Sequence, residues 1–346
     1  MFRNLFLCLN IMVAIALAIT YITPYIDPLD HKKLPILGLF YPLLLLANLG
    51  FLMAWLFTSK IQYALLSFLT IFFGIQHISS IINVPYQRDT SLVQKNVLKL
   101  GSYNIKNFDY IAWKNNSFQP VAIKKLKQQF KDLDIICLQE SDYNTDQLFK
   151  KQLQFSHKQW YEGTRIFAKS PLLKRGHINF ESRNNSCIWA DIKVGEEVVR
   201  IYNLHLESNM ISSATDRVVE RNGMGWKNRI RMTIDMLKSY SFRSRKRAEQ
   251  TKLVIAHIQK SPHPVIVCGD FNDSPLSFVY RKFSDILKDG FIEKGNGLSF
   301  SYRGKIPFLR IDYIFSSPTL RFEKYQTDRS LKYSDHYPIL ASIKIE

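Results

Sequence analysis

Pro264-Val-Ile-Val-Cys-Gly-Asp-Phe-Asn-Asp273 decides the fold class. Four apolar residues, mostly β-branched, sit between a proline and a cluster of glycine, aspartate and asparagine. That is the pattern of a short strand buried on both faces. The strand closes on a carboxylate, Asp270, with an amide, Asn272, two residues on. Taken alone, Asp270 reads equally well as the start of an Asx turn. The same grammar recurs along the chain, however. Val97–Asn104 is a strand run ending at Asn104. Asp134–Glu140 ends at Glu140, and Glu197–His205 ends at His205. Arg165–Ala168, Cys187–Val194, Arg310–Phe315 and Ile339–Ile345 read as further strands, and Val121–Phe130 and Arg245–Lys260 as helices. This imperfect alternation predicts an α/β sandwich of packed sheets flanked by helices.

Polar residues at strand ends converge at one edge of such a core. Asn104, Glu140, His205, Asp270 and Asn272 all occupy that position. Asp312 lies within a strand run, and Ser334-Asp335-His336 precedes the last one. Each has a bland structural reading on its own. Together they offer carboxylates and amides for a hard divalent cation, plus two imidazoles. The four cysteines contain no Cys-x-x-Cys pair and read as thiols, three of them in or beside strands, not as a disulfide framework or zinc site.

The remainder of the chain has a different character. The 346 residues carry 47 Lys and Arg against 29 Asp and Glu, a formal charge of +18. Only five basic and three acidic residues precede position 91, leaving a basic globular domain of net charge +16 behind them. The first 90 residues hold three uncharged apolar stretches at about 5–22, 34–57 and 61–82. About 20 such residues cross a hydrocarbon core, so three transmembrane helices are expected, the last two forming a hairpin. The expected division is therefore an anchor over 1–90 and a basic globular domain over 91–346. Arg3 and Lys60 flank one side of the spans; Lys32, Lys33 and Arg88 flank the other. A bare count of basic flanks slightly favours a cytoplasmic domain, whereas the first span has the form of a signal anchor.

The segments Ser102-Tyr-Asn104, Asp134–Glu140, Asn203-Leu-His205, Gly269-Asp-Phe-Asn272, Arg310-Ile-Asp312-Tyr and Ser334-Asp-His336 occur in one order. In that order they resemble the endonuclease/exonuclease/phosphatase superfamily, which includes deoxyribonuclease I and bacterial sphingomyelinases. The layout as a whole is similar to a membrane-anchored bacterial branch with three N-terminal spans. The resemblance implies a four-layer α/β sandwich and a phosphoester hydrolase using Mg²⁺ or Mn²⁺, which makes 91–346 the catalytic domain. It implies a metal site at Glu140, with Asn104 beside it and Asp335 as a second carboxylate. Asp270 matches the residue that orients and deprotonates the attacking water, and Asn272 would hold that water or a phosphate oxygen. His205 and His336 would donate to non-bridging oxygens, and Asp312 would keep the second histidine protonated and aimed. A multi-pass inner-membrane protein with an outward, periplasmic catalytic domain is implied by the branch.

Glu207–Gln250 exceeds a minimal family domain and reads as a basic arm or a solvated pair of helices. Its cluster Arg243, Arg245, Lys246 and Arg247 is a candidate substrate-binding patch for a polyanion or an anionic membrane. Trp226 and Trp113 are candidate stacking residues. The expected partners are a phosphate ester, either nucleic acid, lipid headgroup or small molecule, and the bilayer itself; no protein partner is implied. The alternative is a catalytically silent membrane receptor for a polyanion.

Overall fold

The computed structural model describes residues 2–84, 96–106, 119–182, 184–209, 225–304 and 308–345. Arg88, Trp113, Asn222 and Gly223 lie outside them.

The N-terminal part is a bundle of α1 (Phe2–Thr20), α2 (Tyr41–Leu56), α3 (Ala64–Phe73) and the single turn α4 (Ile75–Ile78). Counting flanking 3₁₀ turns, Phe2–Tyr25 and Leu34–Leu56 are long and apolar enough to cross a membrane. The third stretch is not: its helix runs only over Ile61–Phe73. Two long apolar helices and one shorter one therefore replace the three spans expected over 5–22, 34–57 and 61–82. The break falls at Gly74, where the Tyr21 ring lies across the chain. A Cβ there would sit 2.1 Å from Tyr21 Cζ, and the Tyr21 hydroxyl donates to Thr70 O at 2.9 Å. A buried polar set ties the bundle together. Trp55 Nε1 donates to Asn10 Oδ1 at 2.9 Å, and Asn10 Nδ2 donates to Ser67 Oγ at 2.7 Å. One side chain from each of the three helices is thus satisfied internally.

The second part begins at β1 (Ile82–Asn83) and continues through β2 (Val97–Asn104), α5 (Gln119–Phe130), β3 (Ile135–Gln139), α6 (Tyr143–Gln152), β4 (His157–Tyr161), β5 (Thr164–Ala168), β6 (Leu172–Ile178), β7 (Ser186–Val194) and β8 (Glu197–His205). After α7 (Trp226–Ile258) come β9 (Val265–Asp270), α8 (Phe278–Ser284), β10 (Lys288–Asp289), α9 (Gly290–Lys294), β11 (Gly297–Leu298), β12 (Asp312–Ser316), β13 (Arg321–Thr327) and β14 (Ile339–Lys344). Among the described residues there are two six-stranded sheets, ordered β10-β12-β9-β8-β7-β6 and β13-β14-β2-β3-β5-β4. Ile135, Cys137, Ile188, Ile201, Ile266 and Ile314 meet between the sheets. The alternate residues of the same strands face outward. Ile136, Leu138 and Phe167 pack under Leu126, Phe130 and Phe149 of α5 and α6. Val265, Val267 and Phe315 pack under Val254, Ile258, Val279 and Phe283 of α7 and α8. Strands buried on both faces explain why these runs read as continuously apolar.

The bundle docks on this sandwich through a collar formed mainly by the α1–α2 connection. Thr23 Oγ1 donates to Leu276 O at 2.7 Å, and Ser274 Oγ donates to Gly38 O at 3.2 Å. Leu276 packs among Leu17, Tyr41 and Leu45. Gly38 is obligatory there, since a Cβ would come within 2.2 Å of Leu276 O. Lys252 pairs with Asp27 at 2.6 Å, and β1 pairs antiparallel with β11. The domain therefore sits at the end of the bundle opposite Arg3 and Lys60.

Candidate functional site

Strand register assembles the site. β8 and β9 run parallel with His205 beside Asp270, and β12 runs antiparallel to β9 with Asp312 opposite Asp270. Gly269 permits this alignment: at φ +138° a Cβ would lie 1.9 Å from Leu204 O. From the other sheet, β2 and β3 run parallel with Asn104 beside Gln139, which places Glu140 next to it. Asn104 Nδ2 then joins the two sheets, donating to Glu140 Oε1 and to Asp270 Oδ2, each at 3.0 Å. Glu140 and Asn272 hold φ of +49° and +53°. Such backbone is costly for residues with a Cβ and concentrates at functional sites.

His336 Nδ1 lies 2.9 Å from Asp312 Oδ2, and His336 Nε2 lies 3.8 Å from Asp270 Oδ2. Burial alone would lower the His336 pKa, but Asp312 and Asp270 outweigh it and raise the imidazole to about 10. Burial raises Asp270 to about 6, with His336 acting in the opposite sense. His205 Nε2 stands 3.7 Å from Glu140 Oε1 and 3.8 Å from Asp270 Oδ2. Both of its ring nitrogens are buried without a hydrogen-bond partner, as is Asp312 Oδ1.

The structure thus brings Asn104, Glu140, His205, Asp270, Asp312 and His336 together. Asn272 adjoins them, but its side-chain amide is engaged by backbone, Nδ2 donating to Leu206 O at 3.0 Å, while its backbone N–H donates to the Asp270 carboxylate Oδ1 at 2.8 Å. Asp335 has a cation of its own, Lys106 Nζ at 3.0 Å.

The basic cluster divides by helical phase. Arg243 lies at the rim of a cleft of about 520 Å³ shared with Glu140, Asp142, Glu162, His205 and Glu207; its Nη1 donates to Glu207 Oε1 at 2.6 Å. Arg247, four residues on, is fully buried and donates to Asp273 Oδ2 at 3.0 Å and to Glu207 O at 3.1 Å. Arg247 is therefore part of the core and not of a substrate-binding surface. Arg245 is half-buried, and Lys246 is exposed with its ammonium over the Phe242 ring. Neither borders the cleft.

Sequence reasoning missed three supports. Lys106 holds Asp335. Ser301 Oγ accepts from the N–H groups of Ile311 and Asp312, at 3.1 and 3.0 Å. Gln139 Nε2 donates to Asn203 Oδ1 at 2.6 Å across the two sheets. For the last, the signal was two amides inside otherwise apolar strands.

The donor set suits a hard divalent cation. Asp270, Asp312 and His336 place ligand atoms within 4.8 Å of one another, yet the His336 proton already bridges toward Asp312. Glu140 is better placed. Its side chain is 36% exposed to the cleft side of the site, and an amide, not a cation, is its hydrogen-bond donor.

The fold and the site together define a two-sheet α/β sandwich of the deoxyribonuclease I-like kind, with a polar centre where both sheets end. The sequence matches the Endonuclease/Exonuclease/phosphatase family over residues 101–336, and the chain belongs to that family. A second family, described as a domain of unknown function, matches residues 3–81. No curated protein matches the chain by sequence. Among solved structures, a family member from Bacteroides vulgatus is 18% identical with a TM-score of 0.54, covering 73% of this chain and 100% of its own. One from Bacteroides thetaiotaomicron is 18% identical with a TM-score of 0.53, covering 72% and 98%. A mannosyl-6-phosphatase of the latter organism is 17% identical with a TM-score of 0.51, covering 72% and 100%.

Proposed function

We propose that this protein is a membrane-anchored, divalent-metal-dependent phosphoesterase that hydrolyses a phosphodiester or phosphomonoester. The observation that carries the reading is Asp270, held in register between His205 and Asp312 and bonded to Asn104. A carboxylate raised to about 6 is a competent base near neutrality. Asp270 accepts the proton of the attacking water as the new P–O bond forms and the P–O bond to the leaving group breaks, the departing alkoxide taking its proton from solvent. His336, protonated and aimed by Asp312, donates to a non-bridging oxygen, and His205 offers a second donor to the same developing charge. Glu140 and Asn104 would hold Mg²⁺ or Mn²⁺, with Asp335 reaching it on exchange from Lys106; the cation would supply Lewis-acid charge to the phosphate.

The two long apolar helices support insertion in an inner membrane. The signal-anchor form of the first helix, with Arg3 at its start, favours an N-terminus inside and a domain on the periplasmic side, against the pull of Lys32 and Lys33 at the domain end. In that orientation the chain returns from Lys60 to the domain through α3 and α4. Alkaline phosphatase fused after Glu346 should be active, and a cytoplasm-only fluorescent fusion dark. For the chemistry, the full chain in detergent should cleave a generic phosphodiester with Mg²⁺ or Mn²⁺ and lose that activity in chelator. Full activity in chelator would remove this mechanism.

A further inference from the structure

The two halves of α7 have different surroundings. Its second half packs on the sandwich through Arg247, Ala248, Val254 and Ile258. Its first half leaves an apolar stripe in the open: Trp226 is 68% exposed, Ile230 49% and Ile234 45%, with Leu237 half-buried. At 100° per residue these four fall within an arc of about 80°. Lys227, Arg231 and Lys238 follow about 100–140° from Trp226, along one flank, and all three are exposed. An apolar stripe with an aromatic residue and a basic flank is the composition of a helix lying in a membrane interface.

What covers this stripe is indicated by the collar. The connection between α1 and α2 tracks along α7, with Asp27 paired to Lys252 and Lys32 O accepting from Ser241 Oγ. Lys32 lies two residues before the apolar helix that begins at Leu34. The exposed half of α7 continues from this established contact for about 22 Å, at 1.5 Å per residue.

We infer that the first half of α7 lies in the headgroup zone of the bilayer that holds the bundle, its apolar stripe against the acyl boundary and its basic flank among anionic headgroups. This rests on the anchoring proposed above. The test uses the full chain in nanodiscs containing anionic lipid, with Cys8→Ala to remove the exposed thiol. Spin labels are placed singly at Ile230→Cys and Ile234→Cys. A label at Leu46→Cys on α2 provides the lipid reference, and one at Lys174→Cys on β6 the aqueous reference. The ratio of oxygen to nickel-chelate accessibility at Ile230 and Ile234 should approach that of Leu46. A ratio matching Lys174 overturns the inference while leaving the anchor intact. Shielding from both reagents with spin–spin broadening assigns the stripe to a second copy instead, and also overturns it. So does an aqueous ratio whose label is immobilised only by added oligonucleotide. An aqueous Leu46 label overturns the anchor itself, and this inference with it.

Discussion

Five residues before β8 ends at His205, Arg200 grips Asp191 with hydrogen bonds of 2.6 and 2.9 Å. The guanidinium also stacks 4.0 Å above the Trp189 ring. That pair is complete: each charge has its partner. At one edge of the same sheet, Asp270 is held by an amide and a backbone N–H, while both nitrogens of His205 and one oxygen of Asp312 have no hydrogen-bond partner. The difference is instructive. The first cluster satisfies its charges from within the fold. The second leaves donors and acceptors buried and unsatisfied, which costs stability unless a ligand completes them.

The same substitution should therefore do opposite things in the two places. Asp270→Asn should lower kcat by about two to four powers of ten, the scale of a lost acid/base group, while retaining the fold. Asp191→Asn leaves Arg200 buried without its counter-charge and should destabilise by about 3–5 kcal/mol, with kcat per folded molecule unchanged. Denaturation and turnover measured on both variants check this. A stability loss at Asp270 equal to that at Asp191 would erase the distinction.

Loading the adjoining Glu140–Asn104 pair should stabilise the protein. A cation at a hundred times its Kd adds about 2.7 kcal/mol, read as a rise in melting temperature on adding Mg²⁺ or Mn²⁺. Glu140→Gln should abolish that rise and leave the unliganded melting temperature nearly unchanged. An undiminished rise would place the cation elsewhere.

The third expectation is a pH profile. Asp270 titrates near 6, so activity should fall as pH drops below about 6 and the base becomes protonated. His336 is raised to about 10 by Asp312 and Asp270, so its donor should be lost only as pH rises through about 10. Asp312→Asn removes the largest of the charges responsible. It should move the alkaline limb downward, toward an ordinary histidine. A limb that stays in place would mean that Asp312 acts only as a structural acceptor.

Much of the second cluster was legible in the sequence, because strand period and strand end are local properties; the Arg200–Asp191 pair was not. Asp270, His205, Glu140 and Asn104 each close an apolar run, and parallel neighbours with a shared edge bring such ends together. What was not legible depends on distant contacts. The end of the third apolar helix at Gly74 depends on Tyr21, more than fifty residues earlier. The collar depends on Thr23 and Gly38 meeting the loop after Asn272. Arg247 and Lys246 are neighbours in a basic run, and composition treats them alike. Only the continuous helix from Trp226 to Ile258, where a pair of helices was the alternative, sets their directions. It turns Arg247 onto Asp273 and Lys246 to solvent.

The smallest expected effect concerns that run. Arg243 lies on the cleft side of α7, one turn before Arg247, and 21% of its side chain is exposed. It is held by Glu207 but remains at the cleft rim, where a substrate phosphate would compete for the guanidinium. A charge-assisted hydrogen bond contributes about 1.5–3 kcal/mol. Exchange of an existing carboxylate for a phosphate should retain less, about 1 kcal/mol, or roughly fivefold in KM. Arg243→Gln should then raise KM by that factor with kcat constant, because rim binding acts equally on ground and transition states. Arg243→Lys should restore part of it through charge alone. Lys246→Gln should change neither constant, and Arg247→Gln should lower the melting temperature instead. If Arg243→Gln leaves KM unchanged and shares the thermal defect of Arg247→Gln, then Arg243 belongs with the completed pairs of the core. The boundary between the two kinds of cluster would then run closer to the cleft.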